Sequence, residues 1–219
     1  MIDKIEKSIG YCFKNKSTLR LALQHKSYDN HQNNERLEFL GDSILSTVIS
    51  DYLFQKFKKS DEGFLTKARS KIVNSKSLYR KSIKLKLDRY VLLGNSAKNI
   101  DEDLKHSIYE DALESIIGGI FVDSGFHAAK AFILKLFMED LNLITKHSDL
   151  RDPKTKLQEE FKALNIESPV YKHKKNGDIG YISSLKYKGK IFKGEASSKR
   201  EADAIVATKI LNMLFSKKI

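Results

Sequence analysis

The stretch Asn34-Glu35-Arg36-Leu37-Glu38-Phe39-Leu40-Gly41-Asp42-Ser43-Ile44-Leu45 decides how the rest of the chain is read. Its apolar residues continue at helical spacing through Val48, Ile49, Tyr52, Leu53 and Phe57, which predicts a long helix over about 34–58. At about 100° per residue, Glu35, Glu38 and Asp42 fall within an arc of roughly 60° and line one stripe of that helix. Carboxylates on or beside a buried face are unfavourable unless positive charge compensates them. Two explanations compete. Either one or two of the acids sit at the edge of the face and pair with Lys or Arg, or the stripe belongs to a divalent-metal site. Three acids together in a Leu/Phe/Ile run favour the metal site.

A second acidic cluster lies in Ser107-Ile108-Tyr109-Glu110-Asp111-Ala112-Leu113-Glu114-Ser115-Ile116-Ile117-Gly118-Gly119. Asp111 and Glu114 are three apart and share a helix face. The small residues Ala112, Ser115, Gly118 and Gly119 would let another helix approach closely. If this helix crosses the first, Glu38, Asp42, Asp111 and Glu114 converge, and they cannot all stay ionised near neutral pH without cations. Hard oxygen donors, with one cysteine and six scattered histidines, specify Mg²⁺ or Mn²⁺ over zinc. Such a site can activate water and stabilise the charge that builds on a phosphodiester. For Asp111 and Glu114 alone, surface acids on an amphipathic helix would be the better reading; the first stripe tips the balance towards a site.

The 219 residues carry 40 Lys and Arg against 28 Asp and Glu, a formal charge of +12. Residues 151–219 hold 16 of the cations and 8 of the acids, so two thirds of the net charge sits in the last third of the chain. That asymmetry favours a polyanionic partner for this segment. A single cysteine, Cys12, excludes an intramolecular disulfide and a cysteine-based zinc site. Residues 1–7 lack the apolar core of a signal peptide, and no uninterrupted apolar run reaches the roughly eighteen residues of a membrane span. A cytoplasmic location without a membrane partner is the expectation.

Helical periodicity predicts helices over 3–9, 17–24, 34–58, about 64–74, a segment marked by Leu78, Tyr79, Ile83 and Leu87, then 104–123 and 127–146, with Gly125 as a stop. Residues 93–103 read as a loop. The first 146 residues are therefore expected to be all-α, and 147–153 to be a linker. Beyond it the pattern changes to a helix over 154–164, strands over 169–174, 181–187 and 190–196, and a last helix capped by Ser197 or Ser198. The Lys188-Gly189 pair predicts a tight hairpin. The fold class is multidomain: an all-α domain followed by a small α+β module of order α-β-β-β-α.

The run Asn34 to Leu45 resembles the signature motif of ribonuclease III, the family of double-strand-specific RNA endonucleases. Asp111-Ala112-Leu113-Glu114 with Gly118-Gly119 resembles that family's second acidic motif, and the similarity extends to Gln24-His25-Lys26-Ser27-Tyr28 and to 65–78. The tail resembles a double-stranded RNA-binding domain. The resemblance implies a nuclease domain at 1–146 and a binding domain at 154–219. It implies that Glu38, Asp42, Asp111 and Glu114 bind Mg²⁺, for which Mn²⁺ can substitute, with Asp42 and Glu114 most directly catalytic. It places Glu35 near the active site as an assisting acid and not as a ligand. It further implies a homodimer with the signature helices at the interface, where Phe39 is a natural anchor; plain core packing is the alternative for Phe39. Each site would cut one strand by metal-activated water, leaving a 5′-phosphate, a 3′-hydroxyl and a short 3′ overhang, in rRNA and mRNA processing and decay.

In the tail, Thr155-Lys156-Leu157-Gln158-Glu159 resembles the family's first-helix pattern, in which Gln158 and Glu159 reach the minor groove and its 2′-hydroxyls. Ser198-Lys199-Arg200-Glu201-Ala202 resembles the basic start of the second helix, where Lys199 and Arg200 grip phosphates. The loop between the first two strands departs from the family. It reads Gly177-Asp178-Ile179-Gly180-Tyr181 where Gly-Pro-x-His is usual, and Ala196 stands where a Gly is usual. RNA binding is therefore expected through two of three contact regions. Two other functions fit the sequence less well. A non-catalytic duplex-binding protein would have no reason to keep four acids in apolar helices. A diiron or dimanganese oxidoreductase would use Glu-x-x-His pairs, whereas Glu38, Gly41 and Ile117 lie three residues past Glu35, Glu38 and Glu114.

Overall fold

The computed structural model of the chain describes residues 2–98, 100–145, 152–177 and 180–215. The chain divides into two compact units, Met1–Ser148 and Asp149–Ile219. The proposed linker at 147–153 falls mostly outside the described residues. Its last residue, Pro153, opens a helix, with the Asp152 side chain accepting from the Lys154 amide.

The first unit is helical, as expected: α1 (Ile2–Ile9), α2 (Lys16–Ala22), α3 (Glu35–Lys56), α4 (Glu62–Ile72), α5 (Ser75–Lys84), α6 (Asn95–Lys98) and α7 (Glu102–Leu143). Asn15, Asp61 and Asn74 begin α2, α4 and α5 by accepting from the amides of Ser17, Phe64 and Ser77. The segment 93–103, expected as loop, contains the short α6. Gly125 was expected to separate two helices. It takes φ 78 and ψ −177, a non-helical conformation open to glycine, and divides α7 into two helical segments across a kink, as the sequence predicts.

α3 packs along α7 at the centre of this unit. Leu45, Val48, Ile49 and Leu53 of α3 and Leu113, Ile116, Ile117 and Ile120 of α7 are all buried. Each such side chain contributes about 1.5–3 kcal/mol relative to exposure. By length and composition alone, α7 could cross a membrane, although no uninterrupted apolar run was found in the sequence. Here its isoleucine face is the centre of a helical core.

The second unit contains α8 (Pro153–Ala163), β1 (Lys172–Asn176), β2 (Gly180–Tyr187), β3 (Lys190–Ala196) and α9 (Lys199–Phe215). The antiparallel sheet has the order β1-β2-β3. Leu157 and Phe161 of α8, Leu185 and Tyr187 of β2, and Val206, Ala207, Ile210 and Leu211 of α9 form its core. Lys188 and Gly189 both take positive φ, as a two-residue hairpin of matching twist requires. The first strand was expected at 169–174 and lies at 172–176. Pro169 has no amide to pair, and Val170 is solvent-exposed.

A buried knot ties this unit together. The Asp203 carboxylate on α9 is met by Lys154 Nζ of α8 at 2.6 Å, Ser183 Oγ of β2 at 2.6 Å and His173 Nε2 of β1 at 2.7 Å. Burial opposes its ionisation, but these partners hold its pKa below the usual carboxylate range.

Candidate metal centre

The site begins with two glycines. A Cβ on Gly41 would lie 1.8 Å from the Glu114 carbonyl oxygen, and one on Gly118 would lie 2.1 Å from that of Leu37. α3 and α7 therefore cross backbone against backbone, at a distance only residues without side chains allow. Glu38 precedes Gly41 by three residues, and Glu114 and Asp111 precede Gly118 by four and seven. The crossing consequently brings the two acidic stripes face to face. Oxygens of Glu38, Asp111 and Glu114 lie within 4.8 Å of one another. Ser115 Oγ donates to the Asn34 carbonyl at 3.2 Å and fixes the start of α3 against α7.

Asp42 is not in this trio. It is exposed, one turn beyond Glu38, and close enough for its charge to act on Glu38 and Glu114. Glu35 stands at the rim of a pocket of about 200 Å³ lined by His25, Lys26, Asn34, Glu35, Glu38 and Asp111. There it pairs with Lys26 at 2.9 Å. Beside Asp111, Glu110 accepts from Ser75 Oγ at 2.7 Å, which joins α5 to this part of α7.

The trio resists ionisation. Burial, and then the charge of Glu38, push Asp111 up to about 7. Burial, followed by Asp42 and Asp111, push Glu114 up to about 8. Glu38 is raised as well, by burial first and Glu35 next. Like charges in a half-buried cleft behave this way when no cation offsets them. Among the described residues the clustered donors are three carboxylates, with His25 lining the pocket but outside the cluster, and this oxygen set fits a hard divalent cation.

Lys26 was not singled out from the sequence. It faces Glu38 and Asp111 as well as pairing with Glu35. The signal was available as the need for a positive neighbour beside the acidic stripe, but nothing local says which of 40 cations supplies it. Its segment is held in place: the Asn34 amide donates to the Gln24 carbonyl at 2.8 Å, and the His25 amide to that of Leu92 at 3.1 Å. Gly94 approaches Ser27 so closely that a Cβ would lie 1.9 Å from the Ser27 carbonyl oxygen.

Phe39 is 77% exposed on α3, so core packing does not account for it. In the second unit, Gln158 and Glu159 are exposed on α8, and Lys199 and Arg200 are exposed at the start of α9. Lys199 Nζ sits 5.4 Å above the Tyr181 ring. Ser198 Oγ accepts from the Glu201 amide at 3.2 Å and caps that helix. Asp178 and Ile179 of the divergent loop lie outside the described residues.

Residues 15–141 match the family model described as Ribonuclease-III-like. The chain is 39% identical to Ribonuclease 3 of Campylobacter jejuni subsp. jejuni serotype O:2, covering 97% of both proteins. It is 37% identical to Ribonuclease 3 of Campylobacter fetus subsp. fetus, covering 96% of both. Among solved structures it resembles the nuclease domain of ribonuclease III from Campylobacter jejuni, with TM-score 0.62 and 43% identity over 65% of this chain and all of that one. That structure is described as showing flexibility in the region involved in dimer formation.

Proposed function

The chain belongs to the ribonuclease III family of endoribonucleases, and from that premise we propose that it hydrolyses duplex RNA with Mg²⁺, or Mn²⁺ in its place. The observation that carries this reading is the convergence of Glu38, Asp111 and Glu114 across the Gly41–Gly118 crossing. These three carboxylates would hold the ion. When bound, the ion lowers the pKa of water and meets the charge that builds on the phosphodiester. Asp42, exposed beside Glu114, is the carboxylate free to accept a proton from the attacking water. Lys26 holds Glu35 at the rim and adds positive charge where a phosphate would enter. Hydrolysis of this kind leaves a 5′-phosphate and a 3′-hydroxyl.

The working form in this reading is a homodimer. The exposed rings of Phe39 and Phe54 on α3, and a cavity of about 790 Å³ between α3 and α4, supply apolar surface for a second copy. Two sites acting on opposite strands would then leave the short 3′ overhang. The second unit would hold the duplex through Gln158, Glu159, Lys199 and Arg200. The biological role proposed is processing and decay of rRNA and mRNA in the cytoplasm.

Long duplex RNA and single-stranded RNA of the same sequence, each incubated with Mg²⁺, test the reading. Cleavage confined to the duplex, with 5′-phosphate ends and abolished by EDTA, is the expected result. Intact duplex in a preparation that demonstrably binds it would overturn the proposal.

A further inference from the structure

We infer that the outward face of the β1-β2-β3 sheet is a second contact surface for the phosphate backbone of duplex RNA, separate from α8 and α9. His173 and Ser183 point inward, since both reach Asp203 on α9. Alternation along each strand therefore turns Lys172 and Lys174 of β1, and Ile182, Ser184 and Lys186 of β2, to the opposite side. Pairing of Ser184 with Lys193 and of Lys186 with Ile191 places those β3 residues on the same side. Four lysines, 172, 174, 186 and 193, thus share one face with a single acid, Glu195. All four are exposed, and among the described residues none is ion-paired.

The arrangement keeps the cations apart. Lys172 and Lys193 flank the neutral Ser184, Lys174 lies opposite Ile182, and Lys186 lies opposite Ile191. No two lysines are direct cross-strand neighbours, which would be destabilising. The resulting spacings are about 7 Å along a strand and about 10 Å across the sheet, and flexible stems let each ammonium meet a different phosphate. Exposed Ile191 and Val170 border one end of this face, beside Lys172 and Lys186, while the rest of it is lysine, serine and a half-buried Ile182. Charge complementarity points to a polyanion, and the substrate of the proposed activity is one.

The inference rests on the reading that this chain binds duplex RNA. The test measures binding of the full chain, in EDTA, to a duplex of about 16 base pairs, one module's footprint, between about 50 and 200 mM salt. Replacing Lys172, Lys174, Lys186 and Lys193 by Ala should weaken binding at low salt at least tenfold. It should also flatten the slope of log K against log salt by roughly 3.5, at about 0.9 per phosphate contact. Arg at the four positions should restore both, Gln should mimic Ala, and the loss should add to that of K199A/R200A. An unchanged slope in the Ala and Gln variants, with wild-type protein binding normally, overturns this inference alone. Loss of poly-glutamate binding with RNA binding intact also overturns it, in favour of an acidic protein partner. Failure of the wild-type chain to bind duplex RNA overturns the parent reading instead.

Discussion

Replacing Gly118 by Ala tests the link between helix crossing and site. In an ordinary exposed helix this change stabilises by about 1 kcal/mol, because Ala is the better helix former. Here the new Cβ would lie 2.1 Å from the Leu37 carbonyl oxygen and 3.1 Å from the Gly41 amide nitrogen. A carbon and a carbonyl oxygen settle at about 3.3 Å or more, so α3 and α7 must part by more than an ångström. Overpacking of this kind costs about 1–3 kcal/mol, occasionally more, and backbone cannot rotate out of the way as a side chain can. The expected net loss is about 2 kcal/mol, a fall in Tm of roughly 4–8 °C for a chain of this size. The same shift draws Glu38 away from Asp111 and Glu114, and a misplacement of about 1 Å costs on the order of 100-fold in rate. Gly63→Ala is the control, because its nearest neighbour would be Asp61 Oδ1 at 3.6 Å. Calorimetry and duplex cleavage at saturating Mg²⁺ are the assays. A G118A protein as stable as G63A, cutting at the wild-type rate, would refute the reasoning.

Asp42→Asn and Glu114→Gln should each abolish cleavage while leaving duplex affinity largely intact; parallel loss of both in gel-shift and cleavage assays would make the acids structural. Because burial and neighbouring carboxylates push Asp111 up to about 7 and Glu114 up to about 8, Mg²⁺ binding should release protons and tighten as pH rises from 6 to above 8, as calorimetry in buffers of different ionisation heat would show. The folding linkage has the opposite sign. Both carboxyls hold their protons more tightly folded than unfolded, so metal-free stability should fall as pH rises through the window from their ordinary values to about 8, and Glu114→Gln should raise Tm at pH 8.5 in EDTA. Asp123 behaves in reverse. Burial opposes its charge, but hydrogen bonds from Tyr11 Oη and the amides of Asn15 and Lys14 bring it down to about 2. Its contribution should be full above its ordinary value near 3.8 and be lost as pH falls towards 2, and Asp123→Asn should remove that acid transition. Asp203→Ala leaves Lys154, His173 and Ser183 without their shared acceptor, and should destabilise the second unit by about 3–5 kcal/mol, measured by urea unfolding.

The helices of the first unit were legible because their apolar spacing is long and regular, whereas their starts at Asn15, Asp61 and Asn74 are set by side-chain caps that the spacing does not reveal. The two acidic stripes were legible for the same reason. What periodicity could not supply was the third dimension. It did not show that Gly41 and Gly118 meet, nor that the crossing gathers three acids while Asp42 stays outside in solvent. β1 was misplaced because Pro169-Val170-Tyr171 has a more strand-like composition than Lys172-His173-Lys174-Lys175-Asn176. The true strand is fixed by pairing with β2 and by His173 reaching Asp203, thirty residues away. The Asp203 knot was invisible for the same reason, since no window of sequence contains its partners.

The pinned segment beside the metal centre has a consequence for how the enzyme chooses what it cuts. Ser27 and Gly94 lie backbone on backbone, the Gln24 carbonyl accepts from the Asn34 amide, and the His25 amide donates to the Leu92 carbonyl. A flap that swings shut over its substrate needs a stretch of chain able to rotate, and this one has none to spare. On this side the site is bounded by a segment tied at both ends, so a duplex entering there meets a fixed edge. That edge acts as a gauge on one side of the cleft, set by backbone contacts and not by a side chain that could turn away.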